Sequence, residues 1–412
     1  MRKKRLAAAL MLALLLTGCG GGGAKTDLMR GVTAREIAAE PVSENLTDLD
    51  AAVTGLGLEL LRRGGEGNVL VSPLSVAYAL SMTANGAKGE TLAQMENVLG
   101  MPVEMLNFAF HEYLNALPEG EKNTLHLANS VWFTDEESFT VNQDFLQTNA
   151  DYYGADIYQT ALDDSAKAAI NGWVKENTRG MIPEIVDQIP QSAVMYLVNA
   201  LAFEAEWWDI YEEHQVRKGT FTTEDGETRR TELMWSAENF YLEDKNASGF
   251  LKFYDDGEYA FAALLPGEGV SVADYAASLT GESLHALLKG AENTPVTAAI
   301  PKFEVEFDCE LSEVLAEMGM PVAFDHTAAD FSGLGTSTEG NIAISRVLHK
   351  TYMAVDEKGT KAGAATAVEM TAESAEVWLD PKEVILDRPF LYMIVDCEKR
   401  VPLFMGTLME PD

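Results

Sequence analysis

The residues best suited to metal or nucleophilic chemistry are six histidines and three cysteines. No two histidines have the spacing of a metal site, and none lies in an HExxH motif or beside a cysteine ligand. The chain also lacks a GxSxG elbow, a Walker loop and a GxGxxG turn after a strand. We therefore expect no catalytic residues, no metal and no cofactor, and a protein that is not an enzyme.

The N-terminal residues have the pattern of an export signal. Four basic residues, 2–5, precede an apolar run, Leu6 to Leu16, that is too short for a stable membrane span. The run ends in Leu-Thr-Gly-Cys, which resembles the bacterial lipobox, whose cysteine is acylated and becomes the mature N-terminus. We expect residues 1–18 to be a lipoprotein signal peptide and 19–45 a flexible tether lipidated at Cys19. The chain would then be exported and anchored at the outer face of the cell membrane; the alternative is a plain signal peptide with an incidental cysteine.

The other two cysteines, Cys309 and Cys397, lie in no recognisable disulfide spacing. One bridge between them is an open alternative in an exported protein. The sequence favours free thiols, and it implies no redox chemistry.

The formal net charge is −35, because 65 acidic residues outnumber 30 lysines and arginines. Nucleic acids, heparin-like polyanions and anionic lipid headgroups need clustered basic residues, so this charge argues against all three as partners. Contact with a membrane is expected only through the lipid on Cys19. Hydrophobic residues make up 47% of the chain and are spread along it, which predicts a sizeable core.

Three helices are clearly indicated. Ser72 is a good N-cap, Pro73 suits the first turn, and apolar residues follow at helical spacing to about Gly86. Further helices are predicted from Asp164 to Thr178, with Gly180 as the C-cap, and from Leu311 to Met318, stopped by Gly319.

Long apolar strands separate these helices. The predicted strands are Leu125–Phe133, Ala193–Phe203, Tyr259–Leu265, Val296–Phe307 and Ile342–Val355, with a terminal hairpin of Phe390–Val395 and Pro402–Leu408. Nearly continuous apolar runs indicate strands buried on both faces of large sheets. The fold class is therefore α+β, and residues 46–412 are expected to form one domain because no repeat or linker divides them. A two-lobed solute-binding lipoprotein would need repeated strand and helix units, which this pattern does not provide.

The segment after Gly359 alternates with a period of two. Its small or apolar positions are Thr360, Ala362, Ala364, Thr366, Val368 and Met370, with more polar or tiny residues between them. This is the pattern of a strand with one buried face. An Ala-rich linker or helix is the alternative, but the Thr and Val positions suit a strand better.

Several ordered segments resemble the serpin family. They are NVLVSPLSVAYALSMTANGAKGETLAQMENVLG (68–100), LHLANSVWF (125–133), INGWVKENTRGMI (170–182), LVNALAFEAEWW (197–208), IPKFEVEF (300–307), SRVLHKTYMAVDEKGTKAGAATAV (345–368) and RPFLYMIVD…VPLFMGTLMEP (388–411). The match is collinear from about Asn45 to Asp412. The resemblance implies a serpin fold with three β-sheets, eight or nine helices and an exposed reactive-centre loop that inserts into the main sheet after cleavage.

The resemblance also implies three groups of functional residues. The hinge, which inserts first, would comprise Glu357, Gly359, Thr360, Ala362, Gly363, Ala364, Ala365 and Thr366. The shutter, whose hydrogen bonds hold two sheet strands together, would comprise Ser72, Ser75, Asn199 and His349. The breach, where insertion begins, would comprise Trp207, Lys302 and Glu357.

The chain departs from the family pattern at several positions. Trp208 replaces a charged residue, Tyr211 a phenylalanine and Gly363 an alanine, and the stretch from Glu357 to Pro389 is longer than usual. The scissile bond therefore depends on the direction of counting. The forward count from Glu357 gives Glu373–Ser374; the alternatives are Met370 and, from the backward count, Val377 or Trp378.

The implied activity is suicide inhibition of a serine protease by a monomer that is consumed in a covalent complex. A cysteine protease is an alternative target, and a non-inhibitory serpin is the alternative function. Non-inhibitory members typically carry bulky or charged hinge residues, unlike Thr360, Ala362 and Ala364.

Overall fold

The computed structural model describes residues 25–37, 45–117, 124–190, 193–255, 257–338, 340–360 and 381–411. Within these ranges lie nine α-helices: α1 (Asn45–Arg63), α2 (Pro73–Ala84), α3 (Gly89–Leu99), α4 (Val103–Asn115), α5 (Gln143–Tyr153), α6 (Asp164–Asn177), α7 (Val272–Ser278), α8 (Gly281–Lys289) and α9 (Ser312–Met318). The three helices predicted from the sequence are α2, α6 and α9, and their ends agree within two residues.

The same ranges contain eighteen strands: β1 (Thr26–Asp27), β2 (Val69–Val71), β3 (Thr124–Thr134), β4 (Phe139–Val141), β5 (Asp156–Thr160), β6 (Met195–Glu206), β7 (Val216–Thr222), β8 (Thr228–Glu243), β9 (Ala247–Phe253), β10 (Tyr259–Pro266), β11 (Glu292–Pro301), β12 (Phe303–Glu310), β13 (Gly335–Ser337), β14 (Arg346–Val355), β15 (Gly359–Thr360), β16 (Lys382–Ile385), β17 (Phe390–Asp396) and β18 (Pro402–Leu408). In the described part of the chain they form sheets of seven, nine and two strands, the last from β4 and β13. The predicted α+β class with three sheets is confirmed.

The seven-stranded main sheet has the order β1-β5-β3-β6-β15-β14-β12. Along the first half of β6, this strand and β14 pair directly and in parallel, from Tyr196 with Arg346 to Leu201 with Thr351. Near the C-terminal ends of β6 and β14, the two-residue strand β15 lies between them and runs antiparallel to both. The main sheet is therefore closed at its centre and parted at one end.

Apolar side chains cover both faces of the main sheet. On β6, Tyr196 and Val198 belong to the cluster that contains Trp173 of α6, whereas Leu197 and Leu201 belong to the larger core on the other face. The expectation of strands buried on both faces is confirmed for this strand.

Helix α2 runs through the larger core. Every residue from Pro73 to Ala84 is buried, as a helix that is apolar on all sides requires. Ser72 is its N-cap, because the Ser72 hydroxyl accepts a hydrogen bond from the Ser75 amide at 3.2 Å. The position of α2 matters for function, since its first turn lies against the centre of the main sheet.

The nine-stranded sheet has the order β16-β11-β8-β9-β10-β17-β18-β2, with β7 added beside β8. The predicted terminal hairpin is confirmed as β17 and β18. The single strand predicted over Val296–Phe307 is wrong, because β11 and β12 lie in different sheets. Pro301 cannot donate a ladder hydrogen bond, and the Lys302 amide bonds to the Glu232 carbonyl at 3.0 Å as the chain passes between sheets.

Candidate functional site

The parted end of the main sheet is built by the turn between β14 and β15. The Asp356 carboxylate accepts hydrogen bonds from the amides of Lys358 (2.8 Å) and Gly359 (3.2 Å). The Asp356 amide donates to the Gly359 carbonyl at 3.0 Å, and the Trp207 amide donates to the Lys358 carbonyl at 2.8 Å. These bonds turn the chain back into the space between β6 and β14.

Two of the predicted hinge residues, Gly359 and Thr360, already occupy that space. A β-carbon added at Gly359 would lie 1.9 Å from the Ala205 carbonyl oxygen, so the position has no room for a side chain. Thr360 is 1% exposed, and its hydroxyl lies 2.6 Å from the Tyr254 hydroxyl. The sequence placed the whole hinge in an exposed loop; for Thr360 this is wrong, because backbone pairing on both sides draws the residue into the sheet.

Trp207 lies next to the turn between β14 and β15. Its ring stacks on Tyr254 at a centroid distance of 4.5 Å, and its indole N–H donates to the Asp356 carbonyl at 2.9 Å. The Lys252 ammonium lies 5.3 Å from the Trp207 ring and 4.5 Å from the Tyr211 ring. Trp208 instead points away from the core and is 61% exposed.

Lys302 connects the turn to the nine-stranded sheet. Its Nζ lies 2.9 Å from Glu357 Oε2 and 3.0 Å from Glu232 Oε2. Partial burial lowers the pKa of Lys302, but its hydrogen bonds to the two carboxylates outweigh that effect, so the pKa is raised. The three side chains are between 28% and 52% exposed, so this ion-pair network is worth little in stability. It instead fixes the position of the turn.

The four predicted shutter residues lie together under the centre of the sheet, and each is completely buried. Asn199 on β6 and His349 on β14 are direct register partners, and a hydrogen bond joins Asn199 Oδ1 to His349 Nδ1. Asn199 Nδ2 donates to Ser75 Oγ at 2.5 Å, and the Ser72 amide donates to His349 Nε2 at 3.1 Å. The network therefore joins the two strands to each other and to the start of α2.

The hydrogen bonds fix the tautomer of His349. A backbone amide can only donate, so Nε2 must be unprotonated and Nδ1 must carry the proton that Asn199 Oδ1 accepts. Protonation of Nε2 would place two donors against each other in a buried site. Burial accordingly lowers the pKa of His349 from 6.5 to about 3.

Four contributors were missed by the sequence reasoning. They are Asn129, which accepts from Asn199 at 2.6 Å, Tyr254, Asp356 and Glu232. Asn129 had a signal, since a polar residue in the apolar strand β3 needs a buried partner. Asp356 also had one, since an aspartate shortly before a glycine is typical of a turn that its carboxylate stabilises. Tyr254 and Glu232 had none, because their roles depend on neighbours distant in sequence.

Other predicted positions lie outside the described residues. These are Cys19, the hinge residues Ala362, Gly363, Ala364, Ala365 and Thr366, and the scissile-bond candidates Met370, Glu373, Ser374, Val377 and Trp378. Cys309 and Cys397 are not joined in a disulfide, as favoured from the sequence. In the described part of the chain no three His, Cys, Asp or Glu side chains are grouped to hold a metal ion, and no helix is long and apolar enough to cross a membrane.

The main sheet is thus held together at its centre by the Asn199–His349 hydrogen bond and parted at one end by β15. The chain belongs to the serpin family: the family model described as serpin (serine protease inhibitor) matches residues 53–411. A serpin-like protein of Thermococcus kodakarensis is 31% identical over 355 residues, which cover 84% of this chain and 82% of that protein. The leukocyte elastase inhibitor of Homo sapiens is 30% identical over 389 residues, covering 89% of this chain and 100% of that protein.

The thermophilic serpin tengpin has been solved in two states that resemble this chain to different degrees. Its native state is 43% identical with a TM-score of 0.88, covering 94% of this chain and 99% of tengpin. Its latent state has the same identity but a TM-score of 0.79, covering 91% and 100%. The described fold is thus more similar to the native state than to the latent state.

Proposed function

We propose that this chain is a suicide inhibitor of serine proteases. The observation that carries the proposal is the position of β15, the start of a strand that is antiparallel to both β6 and β14. Below it, the two strands pair with each other in parallel. Continued insertion would replace one parallel ladder by two antiparallel ladders, which are slightly more stable per residue, and would add one strand's hydrogen bonds. This gain is the driving force that the mechanism requires.

The covalent step is the first half of ordinary proteolysis. The protease serine attacks the carbonyl carbon of the residue before the scissile bond, the C–N bond breaks, and the new amine leaves with the C-terminal segment. The protease is then attached by an ester to the end of a strand that continues to insert. The protease is carried along the sheet, and distortion of its active site prevents hydrolysis of the ester. The chain acts as a consumed partner and not as an enzyme.

The scissile bond is proposed to be Glu373–Ser374, which suits a glutamate-preferring endopeptidase. Val377 or Trp378 would suit elastase-like or chymotrypsin-like enzymes, and Met370 is a further apolar candidate. Incubation with one protease of each kind, followed by denaturing gels, tests for a covalent complex. Mass spectrometry of the released peptide identifies the bond, and a peptide that begins at Ser374 is expected.

The same panel has a matched control. Each protease is also added after its active-site serine has been blocked, and complex formation should then disappear. Cleavage of the loop by every protease without a covalent complex would point to the alternative, a non-inhibitory serpin. A peptide that begins at Trp378 or Leu379 would overturn the assigned bond but not the mechanism.

The location of the chain is a separate proposal. We propose that it is exported, lipidated at Cys19 and held at the outer face of a bacterial membrane as a monomer. Its single domain includes residues before the predicted start at 46, because Thr26 and Asp27 pair with β5 in the main sheet. Expression of the full chain in a bacterium should place it in the detergent phase on phase separation. Cys19→Ala should move it to the aqueous phase; equal partition of both forms would contradict the anchor.

A further inference from the structure

A cavity of about 600 Å³ opens on the outer face of strands β7 and β8. Its lining includes Lys218, Arg230, Lys302, Glu232, Thr220 and Thr231. Three cations and one carboxylate thus face one cavity in a chain of net charge −35. The size is within the range of sites for small ligands.

Strand register explains why the cations converge. Lys218 is paired with Glu232 and Thr220 with Arg230, while Phe221 and Leu233 on the opposite face of the hairpin are buried. Lys218 and Arg230 therefore lie on the same face as diagonal neighbours. Diagonal neighbours of an antiparallel pair are about 7–8 Å apart.

Lys218 and Arg230 have no ion-pair partner among the described residues, although the chain has 65 acidic side chains. Both side chains are exposed. The only carboxylate in the lining, Glu232, is already paired with Lys302 at 3.0 Å. The pocket therefore keeps an unneutralised positive charge, with the hydroxyl of Thr220 beside it.

We infer that this pocket binds a compact polyvalent anion, of the phosphate-ester or polyphosphate class, and that the bound anion is coupled to the hinge through Lys302. Phosphate oxygens accept hydrogen bonds from a planar guanidinium, two ammonium groups and a hydroxyl, which are the donors of this face. A long polyanion is disfavoured, since beyond the pocket it would meet the acidic surface of the chain. The coupling follows because Lys302 Nζ is shared with Glu357 at 2.9 Å. An anion that draws Lys302 into the pocket weakens the tie on the turn that carries β15.

Calorimetric titration of the folded chain with tripolyphosphate, at physiological salt, tests the site. Lys218→Gln with Arg230→Gln should weaken binding by roughly tenfold or more, because two charge-assisted donors are lost. The matched control, Lys175→Gln with Lys245→Gln, removes the same charge from exposed positions elsewhere and should change the affinity less than about twofold. Absence of binding by the wild-type chain, or equal loss in the two double variants, would overturn the site.

The coupling has its own test. Glu357→Gln releases Lys302 and should tighten tripolyphosphate binding by about fivefold, since coupling between two sites is reciprocal. In a Lys302→Gln background the same substitution should have little effect. An equal gain in both backgrounds would show a general charge effect and refute the coupling.

Any effect of the bound anion on loop insertion rests on the proposed inhibitory function, but the binding of the anion does not. Calorimetry requires no protease, so a failure of the pocket and a failure of inhibition give different results. A chain that binds tripolyphosphate but forms no covalent complex would retain the site and lose the proposed function.

Discussion

At the scale of single residues, Thr360 begins the period-two pattern of the sequence and lies where the loop is proposed to insert. Its side chain is 1% exposed and bonds to Tyr254 at 2.6 Å. Thr360→Arg would have to bury an unpaired charge or withdraw from the sheet. An added barrier of about 2–3 kcal/mol would slow insertion by roughly 30- to 160-fold, so deacylation should win and the chain should be cleaved as a substrate.

Denaturing gels that separate covalent complex from cleaved chain measure this partition. Thr360→Ser keeps the hydroxyl and should retain most of the complex. If the Arg variant forms as much complex as the wild type, the hinge does not insert through this position.

His349 makes the stability of the shutter network depend on pH. Its folded pKa, about 3, is below the ordinary 6.5, so the unfolded state binds more protons between these values. The stabilisation by neutral His349 is therefore complete above pH 6.5 and is lost as pH falls toward 3, by up to roughly 1.4 kcal/mol per pH unit.

Denaturant unfolding at pH values from 7 to 4 measures the slope. His349→Gln should be less stable at pH 7, because a buried hydrogen bond is lost, yet its stability should fall less steeply with acid. The exposed His326→Gln is the control and should keep the wild-type slope. If the free energy of unfolding falls equally with acid in His349→Gln and in the wild type, His349 does not titrate in this pH range.

At the scale of elements, the seam between β6 and β14 decides how far the sheet opens. Gly359→Ala would place a β-carbon 1.9 Å from the Ala205 carbonyl oxygen, which no rotamer change can relieve. We expect β15 to leave the sheet, and the amide of Trp207, bonded to the Lys358 carbonyl at 2.8 Å, to lose its protection. Hydrogen exchange at this amide should accelerate by roughly tenfold or more.

The control for that experiment is Gly172→Ala on α6, where an added β-carbon meets nothing within 4 Å. That variant should be more stable by roughly 0.5–1 kcal/mol, because alanine favours helix interiors over glycine. Unchanged exchange at Trp207 in Gly359→Ala would show that β15 tolerates a side chain.

At the scale of the whole molecule, the native sheet is proposed to be metastable. Cleavage in the loop should release the strand that follows Thr360 to insert along the β6–β14 seam. A gain of about 5–10 kcal/mol would correspond to a rise in Tm of roughly 15–30 °C. Thermal unfolding of intact chain and of chain cleaved in the loop measures it, and coincident midpoints would contradict a stored driving force.

The sequence by itself determined the features that depend on local chemistry and periodicity. Ser72 and Pro73 start α2 because capping and proline geometry act within one turn. The apolar runs predicted buried central strands, and the ordered motifs predicted the family and its fold. Alternation from Thr360 onward predicted a strand, of which the described part of the chain includes only Thr360, in β15.

Only the tertiary structure decided which of these elements are neighbours. The Asn199–His349 contact joins strands 150 residues apart, and Lys302 has two carboxylate partners from different parts of the chain. Val296–Phe307 was split between two sheets, and Thr360 was buried, because pairing depends on sheet order and not on local propensity. A period-two pattern shows that a strand has a buried face, but its partners are set by long-range packing.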